Sequence, residues 1–217
     1  MSKRKITKKH LPTNTANHEQ QIPYEITYEA IVDQKMQKLP TDIQQQLDEL
    51  LVDNRKDAEK AVPRLLELKQ RYPKVPLIHN YLSVAYGFVD LDKQKQAILE
   101  NYQQNPKYLF ARCHYAQLCL QEQQADKIPI IFDNKFDLKA LYPRRNQFHA
   151  GEYAAFAGVL CTYFKVTGDE QHAQLIYQDM KKIVPDADET RQAKSLMEPG
   201  LFSRIGAKMV SFLTTQR

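Results

Sequence analysis

The chain predicts an all-α fold of about four degenerate helical hairpins with capping helices. Three observations carry that expectation. Residues 154–187 have the apolar spacing of two amphipathic helices, with a Gly-Asp break between them and a proline at the end. Weaker copies of the pattern begin near residues 42, 76 and 109. No segment shows the alternating, β-branched and aromatic pattern of strands.

The strongest hairpin spans 154–187. Ala157, Leu160, Cys161 and Phe164 share the face of a first helix, and Ala173, Tyr177 and Met180 that of a second. Cys161 and Ala173 are small where two antiparallel helices must approach. Gly168 stands where the first helix ends, because a residue without Cβ enters the left-handed region cheaply. Pro185 stops the second helix.

The other units follow the same scheme. In 76–108, Leu82, Ser83 and Tyr86 are placed on the first-helix face, Leu99 and Tyr102 on the second, and Pro106 closes. Lys95 takes a position that favours a small residue. In 109–143, Tyr115, Ala116 and Cys119 belong to the first helix and Ile128 and Phe132 to the second, although Pro129 lies near that helix's start. In 42–75, Ala61, Leu65, Leu68 and Pro73 fit the second helix, while Glu49 occupies a small-residue position in the first. About eleven extra residues precede the last unit, within 133–151.

This order of helices, turns and closing prolines resembles the tetratricopeptide (TPR) repeat, a helical hairpin of about 34 residues. The resemblance covers about two-thirds of the chain. It implies an α-solenoid with the repeat domain at 42–187, in units 42–75, 76–108, 109–143 and 154–187. It also implies a protein-interaction scaffold rather than an enzyme, binding a protein segment in a concave groove lined by the first helices. Carried over position by position, the groove residues are Leu77, Asn80, Val84 and Phe88 from the second unit, Phe110, Gln117 and Gln121 from the third, and Thr162 and Lys165 from the fourth. The family's carboxylate clamp is not expected, because Val84 stands where it needs an Asn. An apolar, amide-rich groove suits a helix or an extended apolar peptide. The 142–145 loop, with Arg144 and Arg145, is a second candidate surface.

The ends hold the positive charge. Lys3, Arg4, Lys5, Lys8 and Lys9 oppose one Glu19 in residues 1–22, a balance of +4. Residues 190–217 again carry +4, so the total of +5 leaves −3 for the body between them. The tail is poor in apolar residues and reads as disordered. No apolar stretch follows its charges, so it does not read as a secretory signal. It offers the alternative function: an accessory factor that attaches through basic termini to nucleic acid, the ribosome or an anionic membrane. Residues 23–41 read as an N-terminal capping segment, with Ile26, Ala30, Ile31 and Met36 on a short amphipathic helix. Residues 188–217 read as C-terminal capping helices. Within them Phe202, Ile205, Met209, Phe212 and Leu213 recur at helical spacing, in a stretch too short and charged to span a bilayer.

No catalytic motif is present: no phosphate-binding Gly loop, no G-x-S-x-G, no H-E-x-x-H. No motif calls for a cofactor or a metal. His149 and Glu152, at i,i+3 spacing, read as a helix-capping contact. Cys113 and Cys119 diverge around one helix, and Cys119 and Cys161 fall at packing positions. Three cysteines without framework spacing suggest reduced thiols and a cytoplasmic setting.

Overall fold

A computed structural model of the chain describes residues 6–7, 24–31 and 34–198. The protein is all-α: helices make up nearly all of its regular structure, and the strands among the described residues are three short ones. The chain divides into two compact units, Glu29–Asn134 and the pair of segments Met1–Tyr28 with Lys135–Arg217.

The continuous unit contains α1 (Gln34–Gln37), α2 (Thr41–Lys56), α3 (Ala58–Arg71), α4 (Pro76–Val89), α5 (Leu91–Gln104), α6 (Leu109–Gln121) and α7 (Lys127–Ile131). Its core is one apolar cluster. Ile43, Leu47 and Leu50 of α2 meet Ala61, Leu65 and Leu68 of α3 and Ile78, Leu82 and Ala85 of α4. Each fully buried Leu or Ile stabilises the fold by roughly 1.5–3 kcal/mol relative to leaving it in water. Asn54 Nδ2 donates to the Tyr81 carbonyl at 2.8 Å and ties α2 to α4. Tyr102 of α5 stacks on Tyr115 of α6 with ring centroids 4.4 Å apart.

The second unit contains β1 (Ile6–Thr7), β2 (Glu25–Thr27), α8 (Leu138–Leu141), β3 (Gln147–His149), α9 (Ala150–Val166), α10 (Glu170–Ile183) and α11 (Asp188–Met197). β2 pairs antiparallel with β1 and parallel with β3, placing Ile26 opposite Phe148. Both side chains are fully buried, and Tyr24 meets the Phe148 ring edge-on at 5.3 Å. α9 and α10 approach through small residues: Ala157, Cys161 and Ala173 are all fully buried. Gly158 lets α11 come close to α9, since a Cβ there would stand 3.0 Å from that of Glu189.

One local device recurs three times. Asp57, Asp90 and Asp169 each precede the second helix of a hairpin and accept the backbone N–H three residues on, from Lys60, Lys93 and His172. Such N-caps satisfy a donor that the helix itself cannot. Each second helix then ends in a turn with proline at its second position. The turns are closed by Val75 N to Tyr72 O (3.2 Å), Tyr108 N to Asn105 O (2.9 Å) and Ala187 N to Val184 O (3.2 Å). The next helix follows directly as α4, α6 and α11. Side chains lock all three turns: His79 Nε2 bonds Pro73 O at 2.7 Å, Arg112 Nε donates to Pro106 O at 2.6 Å and Thr190 Oγ1 donates to Val184 O at 2.7 Å.

The structure differs from the sequence reading in five places. The segment 109–143 is not one hairpin: α7 is five residues long and contains Pro129, and Asp133 and Asn134 turn at φ 52° and 55°. The division between units falls there, so 135–143 belongs with the later helices. The segment 23–41 is not one cap either. Its Tyr24–Thr27 part lies in the sheet unit, and only α1 and Leu39 lie by the first hairpin, where Met36 packs on the core. Leu99 is exposed, while Ala97, Ile98 and Asn101 are the buried face of α5. Strands are present where none is expected. Within the tail expected to be disordered, Ile6 and Thr7 pair with β2; its remaining residues up to 22, and the apolar row Phe202–Leu213, lie outside the described residues.

Candidate partner-binding cleft

The C-terminal half of α4, the N-terminal half of α5 and one side of α6 enclose an open cleft of about 430 Å³. Three helices frame it because the Asp90 cap turns α5 back against α4 after a single residue, and the Asn105–Tyr108 turn then feeds α6. Its apolar lining is Val84, Phe88, Leu91, Ile98 and Leu118, the last two of them buried. Phe88 and Leu91 are 63% and 66% exposed, and Val89 beside them is exposed as well. Phe88, Val89 and Leu91 thus form a run of exposed apolar residues beside the cleft, where single ones would be ordinary.

The polar lining is Ser83, Gln94, Lys95, His114, Gln117 and Gln121. Gln94 lies over Gly87: a Cβ there would stand 2.5 Å from its Nε2, so glycine makes room for the amide. Lys95 is paired with Glu122 at 3.3 Å. Ser83 Oγ donates to the Asn80 carbonyl at 2.8 Å, which leaves its oxygen to accept from His114 Nδ1 at a long 3.4 Å. The network thus assigns the Nδ1–H tautomer and leaves Nε2 as an acceptor. Burial pushes the His114 pKa down to about 4, so the imidazole is neutral at pH 7.

Four residues expected in a groove meet in this cleft: Val84, Phe88, Gln117 and Gln121. The others lie elsewhere. Leu77 packs against the core cluster, and Asn80 is buried with its Oδ1 unpaired. Phe110 sits against the Tyr108 and His114 rings. Thr162 and Lys165 belong to the other unit, where Thr162 Oγ1 donates to Gly158 O at 3.0 Å and Lys165 pairs with Glu170 at 2.6 Å. Lys3, Arg4, Lys5, Lys8 and Lys9 lie outside the described residues. Sequence reasoning missed Leu91, Gln94 and Ile98, because the family pattern assigns second helices to the outer face. The available signal was Gly87 followed at once by apolar Phe88, Val89 and Leu91 at a hairpin tip.

The Arg144-Arg145 loop splits in two. Arg144 is exposed. Arg145 is a structural residue: Nη1 and Nη2 donate to Glu152 Oε1 and Oε2 at 2.8 and 2.7 Å, and its guanidinium lies 4.3 Å from the Phe148 ring centroid. Glu152 Oε2 also accepts the His149 N–H at 3.0 Å, while His149 Nδ1 accepts from Gly151 N. His149 and Glu152 therefore form a capping box at the start of α9. Cys113, Cys119 and Cys161 are buried and form no disulfide with one another. Among the described residues no cluster of three or more His, Cys, Asp or Glu could hold a metal, and no helix is long and apolar enough to cross a membrane.

The chain matches no family model, no curated protein and no solved structure.

Proposed function

We propose that this chain is a non-enzymatic, TPR-like adaptor that binds a protein segment in the α4–α5–α6 cleft. One observation carries the proposal: Phe88 and Leu91 stand exposed beside a cleft that the buried Ile98 and Leu118 also line, and in which Lys95 is paired with Glu122. Covering two such side chains contributes roughly 1.5–3 kcal/mol each. The repeated Asp caps and proline turns support the repeat reading, because each hairpin is built by the same local chemistry.

The test is a Phe88→Asp, Leu91→Asp variant. Both side chains are surface residues, so its circular dichroism and melting should match the parent, while partner binding weakens at least tenfold. Unchanged affinity in the folded variant overturns the proposal. The +4 balance of residues 1–22 favours a second reading, attachment to a polyanion through the tail. Deleting those residues should then abolish binding to RNA or anionic vesicles and flatten its salt dependence.

A further inference from the structure

We propose that residues 201–213 form an amphipathic helix that lies on an anionic membrane surface and holds the chain there by its C-terminal end. Attachment through the N-terminal tail needs charge alone, whereas this contact adds an apolar face. Drawn as a helix at 100° per residue, Leu201, Phe202, Ile205, Met209, Phe212 and Leu213 fall within an arc of about 120°. Arg204 and Lys208 border that arc on one side, and Ser203, Ser211 and Thr214 face away from it. Bulky apolar residues opposite a polar face suit a helix lying in the plane of a lipid interface, where long basic side chains at the edge reach back to the headgroups. No Asp or Glu occurs in residues 199–217, which carry +3 from Arg204, Lys208 and Arg217. Each cation near an anionic leaflet adds about fivefold to binding.

The structure fixes the root of this segment. The Tyr177 hydroxyl donates to Glu198 Oε1 at 2.9 Å and Lys181 Nζ stands 3.9 Å from the same oxygen, so the chain enters Pro199-Gly200 held against α10. That root is basic. Lys182 follows Lys181, Lys194 lies one turn before Glu198, and neither holds an ion pair among the described residues. Asp188 and Glu189 stand at the other end of α11, about 15 Å away along its axis. The folded parts offer the apolar row no matching seat. Every exposed residue of α11 is polar. Among the described residues of its unit, the exposed large apolar side chains are Tyr28, Val166 and Leu175, no two on one element. The α4–α5–α6 cleft is too short: from His114 to Gln121 it spans about 10 Å along α6, whereas the row runs about 18 Å. A second copy fits poorly as well. Phe202, Ile205, Met209 and Phe212 make only two heptads, and the charges beside them, Arg204 and Lys208, are both positive, so paired helices would repel.

The test uses the full chain and vesicles of phosphatidylcholine, alone or mixed with phosphatidylserine. The chain has no tryptophan, so Phe212→Trp gives a single reporter. Its emission should move to the blue on the mixed vesicles and be quenched by brominated acyl chains; unmoved emission overturns the proposal. In co-sedimentation, Ile205→Asp with Phe212→Asp should lower the affinity at least tenfold. Arg204→Gln with Lys208→Gln should lower it about twentyfold. Both variants should melt as the parent does; a lowered midpoint in both means that the row packs on the fold, and overturns the proposal. Binding that survives the Ile205 and Phe212 exchange means that the N-terminal tail alone carries it, with the same consequence. Equal binding to phosphatidylcholine alone overturns the anionic selectivity. A sedimentation mass that falls on the Ile205 and Phe212 exchange makes a second copy the occupant instead. Movement of the Gly87 and Gln94 resonances on that exchange, without vesicles, seats the row in the cleft and overturns the proposal.

Discussion

Glu152→Gln should destabilise the sheet-containing unit although it changes no volume. Glu152 accepts three hydrogen bonds, two from Arg145 and one from the His149 backbone. In the amide, one terminal atom becomes a donor. If the remaining oxygen keeps the Arg145 Nη2 and His149 bonds, the new NH₂ faces Arg145 Nη1. One charge-assisted bond is then lost and another becomes neutral. Bonds to charged groups contribute about 1.5–3 kcal/mol, and breaking a fully buried pair costs about 3–5 kcal/mol. The Arg145 side chain is one-third exposed, so water offsets part of the loss. The expected cost is about 2 kcal/mol, or roughly 4–8 °C in melting midpoint for a chain of 150–250 residues. Urea and thermal unfolding followed by circular dichroism measure it. Hydrogen exchange at the His149 amide should quicken, because its acceptor is weakened. Arg144→Ala, at an exposed side chain that holds no hydrogen bond or ion pair among the described residues, should stay within about 0.5 kcal/mol of the parent. A cost below 0.5 kcal/mol for Glu152→Gln would refute the structural role given to Arg145 and return it to the candidates for partner contact.

Three further outcomes are expected. Gly168 has φ +85° with open space around it, so Gly168→Ala should cost about 1–2 kcal/mol from backbone conformation alone, read by urea unfolding. Asp169 is held below its ordinary carboxyl value by the His172 backbone N–H and then by the His172 side chain. A lowered folded pKa gives stability that is present above the unfolded value of 3.8 and lost as pH falls through the folded one. Asp169→Asn should therefore be less stable than the parent at pH 7 and equal to it in strong acid, as unfolding measured across pH will show. Burial pushes the Cys161 thiol up to about 11 and raises that of Cys119. An aromatic disulfide reagent should label the native chain slowly at pH 8 and all three cysteines once urea unfolds it; instant labelling of Cys161 would contradict its place in the core.

The hairpins were legible where local chemistry repeats at short range. Gly168-Asp169 and Pro185 bracket α10, and Ala61, Leu65 and Leu68 recur at helical spacing in α3; each side chain of that row is buried. The α5 face was misjudged by one residue because Ile98 and Leu99 are both apolar, and only packing against α4 and α6 decides between them. α7 stops short because Pro129 and the left-handed Asp133-Asn134 pair end it, although Ile128 and Phe132 keep the apolar spacing of a longer helix. The β2–β3 pairing was invisible. Strands of three residues carry no periodicity, and their partners lie far apart in the sequence. The cleft was half legible. Val84 and Phe88 of α4 and Gln117 and Gln121 of α6 follow from the resemblance, whereas Ser83, His114 and Leu118 beside them, and Leu91, Gln94 and Ile98 from α5, do not.

The central claim is that a protein segment binds in the α4–α5–α6 cleft. It is tested most directly by selecting a peptide from a random display library that binds the full chain but not its Phe88→Asp, Leu91→Asp variant, titrating the ¹⁵N-labelled full chain with it, and following the amide and glutamine side-chain resonances. Binding in the cleft should move Ser83, Gly87, Gln94, Gln117 and Gln121 together, at one saturating concentration, and leave α9 and α10 unmoved. Shifts confined to α9, α10 or the N-terminal tail would contradict it.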